Sequence, residues 1–292
     1  MTTATSSLSW ASARIPHLPP PRVGGYVDAN SYLGEWPTRH LNGTPPPRPA
    51  ELVEQRLVLM DRLSIRRAAV SRLEGVLLKD SSVANAELYQ MIGKHRDRFL
   101  PLYTINPTFP TWQEHLQRCT EEYGLAPGKG GIRLYPAYQY YQLDDPRVDK
   151  AIEWLARLDL PVMITLQLDD PRMHHPALQV PDVKAEDVVS LVQRWPLLRW
   201  VIAAGRFREV QVIGSAVPPE ARVWLDISRV QGPIDCIPLL CDSVGARRLL
   251  FGSNMPFVIP EAPILELGDA RLSDEEDAAV RHGNAHDAFG IG

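Results

Sequence analysis

The stretch "GGYVDANSYLGEWP", residues 24–37, opens as a short apolar run suited to a buried strand and ends in a polar turn. The composition of that turn decides between two architectures. A doubly wound sheet that binds a dinucleotide carries a Gly-rich turn after its first strand, and "DANSYLGEWP" has none. Working outward, seven further β-rich runs appear: "RRAAVSR" (66–72), "FLPLYTI" (99–105), "GGIRLYP" (130–136), "LPVMITLQ" (160–167), "LRWVIAA" (198–204), "ARVWLDIS" (221–228) and "RRLLFGSN" (247–254). Between most of them lie segments with helical spacing, such as "RPAELVEQRLVLMDRLS" and "DPRVDKAIEWLARLD". Strand-helix alternation implies a parallel sheet, and eight such units predict an α/β fold of the (β/α)8 TIM-barrel class. Ser273 followed by Glu276 makes a capping box that opens a last helix, "DEEDAAVRHGNAHDAFG", placed to close the ring.

With 292 residues, 45% of them hydrophobic, the chain can bury a substantial core. The formal charge of −4 and the lack of any long Lys/Arg run argue against nucleic acid and fit a small neutral or anionic partner. Cys119, Cys236 and Cys241 show no Cys-x-x-Cys spacing, and an odd number argues against a disulfide framework, which points to a reducing, cytoplasmic setting. No apolar stretch reaches membrane-spanning length, and the N-terminus lacks a basic segment followed by an apolar one. Residues 1–23 read as a Pro/Ser-rich extended arm that would lie over the domain or over a neighbouring subunit of a homo-oligomer, and residues 24–292 as the barrel.

In such a barrel the chemistry sits at the carboxyl ends of the strands. That places Asn30, Tyr32 and Glu35 after strand one, Arg133 and Tyr135 at strand four, and Asp226, Ser228, Ser253 and Asn254 at strands seven and eight. The segment "LQLDDPRMHHP" after strand five is the densest in chemistry, with Thr165 and Gln167 just before Asp169, Asp170, Arg172, His174 and His175. Of the eight histidines only His40, His174 and His175 fall in loops on this face; His17 lies in the arm, and His95, His115, His282 and His286 are expected on helix surfaces. Neighbouring histidines diverge and seldom chelate one ion. The tyrosines from Tyr135 to Tyr141 read as a packed lid rather than a stacking platform.

Four stretches, "YVDANSYLGEWP", "GGIRLYPAYQYYQLDDP", "RLLFGSNMPF" and "GNAHDAFGI", resemble in order and separation the amidohydrolase-related family, the barrel group that includes aminocarboxymuconate semialdehyde decarboxylase and the pyrone dicarboxylate lactonases. The resemblance spans residues 24 to 292. It implies a metal held by two strand-one histidines, a strand-four Lys or Glu, histidines ending strands five and six, and a strand-eight aspartate. Here those places hold Asn30 and Tyr32; Arg133; Thr165 or Gln167; Ala203, Ala204 or Gly205; and Asn254. Amides, hydroxyls and a guanidinium do not replace imidazole and carboxylate ligands, so no metal and no other cofactor is expected.

The residues support two functional expectations. In the first, the chain is a metal-independent hydrolase of a small carboxylated or polyhydroxylated molecule such as a lactone. Arg133 and Arg172 then hold the oxyanion or a substrate carboxylate, with His174, His175, Asp170 or Asp226 as the base, and Asn30, Tyr32, Tyr135, Gln167 and Asn254 line the site. In the second, the chain is a catalytically inactive member that binds a ligand or serves as a partner subunit.

Overall fold

Eight parallel strands succeed one another round the barrel in chain order: β1 (Tyr26–Leu33), β2 (Ile65–Arg72), β3 (Phe99–Thr104), β4 (Gly131–Leu134), β5 (Val162–Thr165), β6 (Trp200–Ala203), β7 (Val223–Asp226) and β8 (Leu249–Leu250). A computed structural model describes residues 23–36, 48–174 and 178–291. The arm, except Val23, and His17, His40 and His175 lie outside these residues. The TIM barrel expected from strand-helix alternation forms, with each strand inside its sequence run or within three residues of it. Among the described residues no helix is long and apolar enough to cross a membrane. Cys119, Cys236 and Cys241 are unpaired.

A parallel sheet covered on both faces is apolar on both, and the short strands here obey that rule. Ile132, Leu134, Val162, Ile164, Ile202 and Leu225 pack outward under the helices. The alternate residues Val27, Leu102, Met163, Val201, Trp224 and Leu250 fill the barrel, where Ala285, Ala288 and Phe289 of the last helix join them as a floor. Continuing the inward rows toward the carboxyl ends, β4, β5 and β7 present Arg133, Thr165 and Asp226, so the barrel changes from an apolar floor to a polar upper layer.

β1 reaches this layer by a local irregularity. Val27 and Ala29 belong to the inner apolar cluster, yet it is Asn30 and Tyr32 that meet Arg133. The pairing of β1 with β2 slips between Asp28 and Ser31, which changes the inward parity of the strand, a usual way for a bulge to re-aim a side chain.

The ring closes between β1 and the segment after β8. Ala29 N donates to Phe251 O (2.9 Å), Asn254 N to Asn30 O (2.7 Å) and Tyr32 N to Met255 O (3.0 Å). Asp28 staples the same seam, accepting from Ser253 N (2.9 Å), Ser253 Oγ (2.6 Å) and Asn30 N (3.1 Å). Ser273 and Glu276 form the expected capping box. The helix they open is interrupted by one π turn over Ala279–Gly283, which the sequence pattern does not disclose. Two histidines depart from expectation: His95 lies three residues beyond the helix Ser82–Ile92, and His115 is buried rather than on the surface, its ring beside Thr111 Oγ1 (3.1 Å) and Asp80 (3.5 Å).

Candidate functional site

Arg133 stands at the centre of the upper layer and is fully buried. Its Nε donates to Thr165 Oγ1 (2.8 Å), and its Nη2 to Asn30 Oδ1 (2.6 Å) and to the Tyr32 hydroxyl. The guanidinium carbon lies 4.1 Å from the Tyr32 ring centre and 5.4 Å from that of Tyr135, within cation–π range. Its Nη1 is buried with no hydrogen-bond partner among the described residues. Among the described residues no carboxylate touches the guanidinium. Compensation arrives through one amide, because Asn30 Nδ2 donates to Asp226 Oδ2 (2.7 Å) while Asn30 Oδ1 faces Arg133.

Asp226 is equally buried and fully engaged. Its Oδ2 accepts from Asn30, Ser228 Oγ (2.6 Å) and Ala204 N (3.0 Å), and its Oδ1 from Ser228 N (2.9 Å). Burial pushes its carboxyl above the usual range, opposed by these hydrogen bonds, which favour the charged form. Burial likewise raises the Tyr32 and Tyr135 phenols, so both remain neutral. Asn254 adopts the left-handed backbone conformation (φ 48°), which asparagine tolerates, and donates from Nδ2 to Leu168 O (2.8 Å).

An aromatic cap covers this layer. Tyr32, Trp36, Tyr135, Tyr138, Leu168 and Phe257 form one buried cluster, with Trp36 edge-on to both Tyr138 and Phe257. The lid reading of the tyrosine segment fits its burial: Tyr135, Tyr138 and Tyr141 are buried, while Tyr140 is exposed and ties to Gln179 O. Polar atoms are left over within the cap. Tyr135 Oη lies near Ser71, Thr104 and Tyr32 but meets none of them in bonding geometry, and Trp36 Nε1 and, beside Tyr138, His174 Nε2 are also buried without partners among the described residues. Each such group costs about 1–3 kcal/mol if nothing meets it.

Asn30, Tyr32, Arg133, Tyr135, Asp226 and Asn254 are thus brought together, and the strand-five segment is not. Arg172 is 88% exposed and closes a two-pronged contact on Asp170, Nη2 to Oδ2 at 2.5 Å, which holds the Asp170 carboxyl far below the usual range. Arg133 and Arg172 therefore do not share one site. His174 is half-buried, edge-on to Tyr138 at 6.4 Å. Gln167 lies between the two regions, its carbonyl accepting from Arg229. Two residues with a part in the site escaped the sequence reading, Asp28 at the seam and Arg56 on the helix Pro49–Arg62, whose Nη2 donates to Tyr32 O (2.8 Å). The signal for Arg56 was present: it falls between Leu52, Val53, Leu59 and Met60, a charge within an apolar helical stripe.

A divalent ion of the kind implied by the resemblance does not fit these donors. The ligand positions hold two amides, a phenol, a hydroxyl and a guanidinium, and the guanidinium occupies the space between Asn30, Tyr32 and Thr165. Both oxygens of Asp226 are already used. Among the described residues no three His, Cys, Asp or Glu side chains gather as a metal-binding group.

A search of curated protein sequences finds no match. The family model described as "Amidohydrolase" matches residues 17–291. Among solved structures, the chain is similar to 5-carboxyvanillate decarboxylase from Sphingomonas paucimobilis, with 17% identity, TM-score 0.67, and 92% of this chain and 99% of that one covered. It is similar to 2,6-dihydroxybenzoate decarboxylase from Rhizobium, with 18% identity, TM-score 0.65 and coverage of 91% and 98%. It is also similar to a probable 2-pyrone-4,6-dicarboxylic acid hydrolase from Acinetobacter baumannii, solved with citric acid bound, with 13% identity, TM-score 0.62 and coverage of 91% and 100%. At such identities these likenesses speak for the fold alone, and the family rests on the sequence model, which spans nearly the whole chain. The chain belongs to the amidohydrolase family, with the positions of the family's metal ligands taken by other residues.

Proposed function

We propose that this chain binds a small carboxylate at Arg133, beneath the aromatic cap and without a metal. The observation that carries this reading is a buried guanidinium whose Nη1 has no partner, and which no carboxylate contacts, among the described residues. A buried charge is tolerated when it is paired and its donors are met, and an incoming carboxylate supplies both. The partnerless Tyr135 hydroxyl offers a second donor. The similar structures named for 5-carboxyvanillate and 2,6-dihydroxybenzoate, and the one holding citric acid, support a carboxylate as the ligand class.

A second reading, metal-independent hydrolysis of a lactone or similarly activated ester, is favoured by the raised Asp226 carboxyl one amide from Arg133. Arg133 would stabilise the tetrahedral oxyanion, and Asp226 or His174 would take a proton from water. An amide demands stronger activation of water and carbonyl, of the kind a metal supplies. Against turnover stands the engagement of both Asp226 oxygens, so the ligand-binding reading ranks first.

Calorimetric titration with small mono- and dicarboxylates, in the presence of chelator, tests the proposal. Binding is expected to weaken by about 10- to 100-fold in Arg133→Met, the effect of losing a charged hydrogen-bond pair. Equal binding by that variant, or no carboxylate bound by the wild type, would remove Arg133 as the receptor. Elemental analysis should find far less than one zinc or manganese per chain. Lactone turnover that survives chelator and disappears in Asp226→Asn or His174→Ala would establish the hydrolase; binding without turnover leaves a ligand-binding barrel.

A further inference from the structure

A cavity of about 510 Å3 lies beside the barrel mouth rather than over it, between the helix Pro49–Arg62 and the segment Met255–Glu261 on the carboxyl side of β8. Its volume falls within the range of small-molecule sites, roughly 300–1,000 Å3. Leu33, Leu52, Leu59, Phe257, Val258 and Ile259 make most of its wall. Arg56 is the cation in that wall. Its Nη2 is committed to Tyr32 O, and its Nη1 is buried with no partner among the described residues. The carboxylates nearby are already engaged: Glu261, also in the wall, is ion-paired with Arg62, and Asp28 is held by Ser253.

We propose that this cavity binds an amphipathic monocarboxylate, its carboxylate on the Arg56 guanidinium and its hydrocarbon tail along the apolar wall. An apolar surface with one convergent charge is the usual composition of a site for such a ligand. Burial depresses the Arg56 guanidinium to about 10, and an anion in contact would restore its preference for the charged form. The cavity is separate from the Arg133 centre, since Phe257 stands between them, edge-on to Tyr32 at 5.8 Å and to Trp36 at 5.4 Å. Occupancy of the cavity therefore bears directly on the aromatic cap.

Titration of the full chain with octanoate, octanol and acetate reads the two halves of the site separately. In Arg133→Met, which lacks the barrel-centre receptor, one octanoate per chain is expected, bound about 10- to 100-fold more tightly than octanol, the effect of a charged hydrogen bond to Arg56, with acetate weaker than octanoate for want of a tail. Arg56→Met should bring octanoate to the level of octanol. Ile259→Glu, at a position 69% exposed where the fold is insensitive, should also weaken octanoate by placing a like charge at the rim. Octanoate binding should persist in Arg133→Met, which separates this site from the barrel centre. Equal affinity for octanoate and octanol, octanoate binding unchanged in both cavity variants, or its loss in Arg133→Met alone would overturn the assignment.

Discussion

Replacing Asp226 by alanine is expected to destabilise the folded chain by about 3–5 kcal/mol, as when one partner is removed from a buried ionic network, and to lower Tm by roughly 10 °C. The reason is the number of donors that converge on it. Asn30 Nδ2, Ser228 N, Ser228 Oγ and Ala204 N all lose an acceptor in a place that water reaches poorly. Arg133 at the same time loses the negative charge that reaches it through Asn30. Ser228→Ala removes one of those donors and leaves Asp226 with the others, so a smaller loss of about 1 kcal/mol is expected. Urea denaturation of the two variants reads the difference directly. A cost below about 1 kcal/mol for Asp226→Ala would mean that the layer relaxes or takes up water.

Asp28 is expected to lower stability as pH rises from about 4 to about 6. Burial lifts its carboxyl from 3.8 to about 6, against the bonds from Ser253 and Asn30. In that window the folded state holds a proton the unfolded state has lost, so the contribution is fully present below the unfolded value and disappears as pH passes the folded one. At 1.36 kcal/mol per unit the change is at most about 3 kcal/mol. Asp28→Asn should flatten the profile while keeping the seam, because its oxygen accepts from the two backbone amides and its amide donates to Ser253 Oγ in place of the protonated carboxyl. Denaturation midpoints measured every half unit of pH check this. Parallel profiles for wild type and variant would show that Asp28 titrates normally and that the seam tolerates its charge.

The fold was legible because parallel barrel strands leave a strong local mark, a short apolar run ended by polar residues. The site was half legible. Alternation along β4, β5 and β7 aims Arg133, Thr165 and Asp226 inward, and that parity can be read from "GIRL", "VMIT" and "VWLD". Their contacts could not be read. Arg133 and Arg172 look alike in sequence, yet one lies in the barrel and the other in solvent, because Arg172 sits on a loop with Asp170 as its immediate neighbour. The capture of Arg133 by Asn30 and Tyr32 depends on the slip in β1, which joins residues about a hundred positions apart and has no local signature. The burial of His115 was missed for a related reason: a helix carrying few apolar residues can still turn a polar one inward when Thr111 and Asp80 stand ready to meet it.

The seam between β1 and the segment after β8 joins the two ends of the barrel, with Asp28 and Ser253 separated by 225 positions. Contacts so distant in sequence carry the largest loop-closure entropy and are expected to form after the local β-α units. A growing chain that has not yet reached Ser253 keeps the Asp28 carboxylate in water and the barrel interior open, so closure waits for the last segment to emerge. In kinetic terms the seam is expected to act as a late-forming latch. Substitutions there, such as Ser253→Ala, are expected to speed unfolding while leaving the refolding rate nearly unchanged, and stopped-flow measurement of both rates distinguishes this from a seam that nucleates the fold.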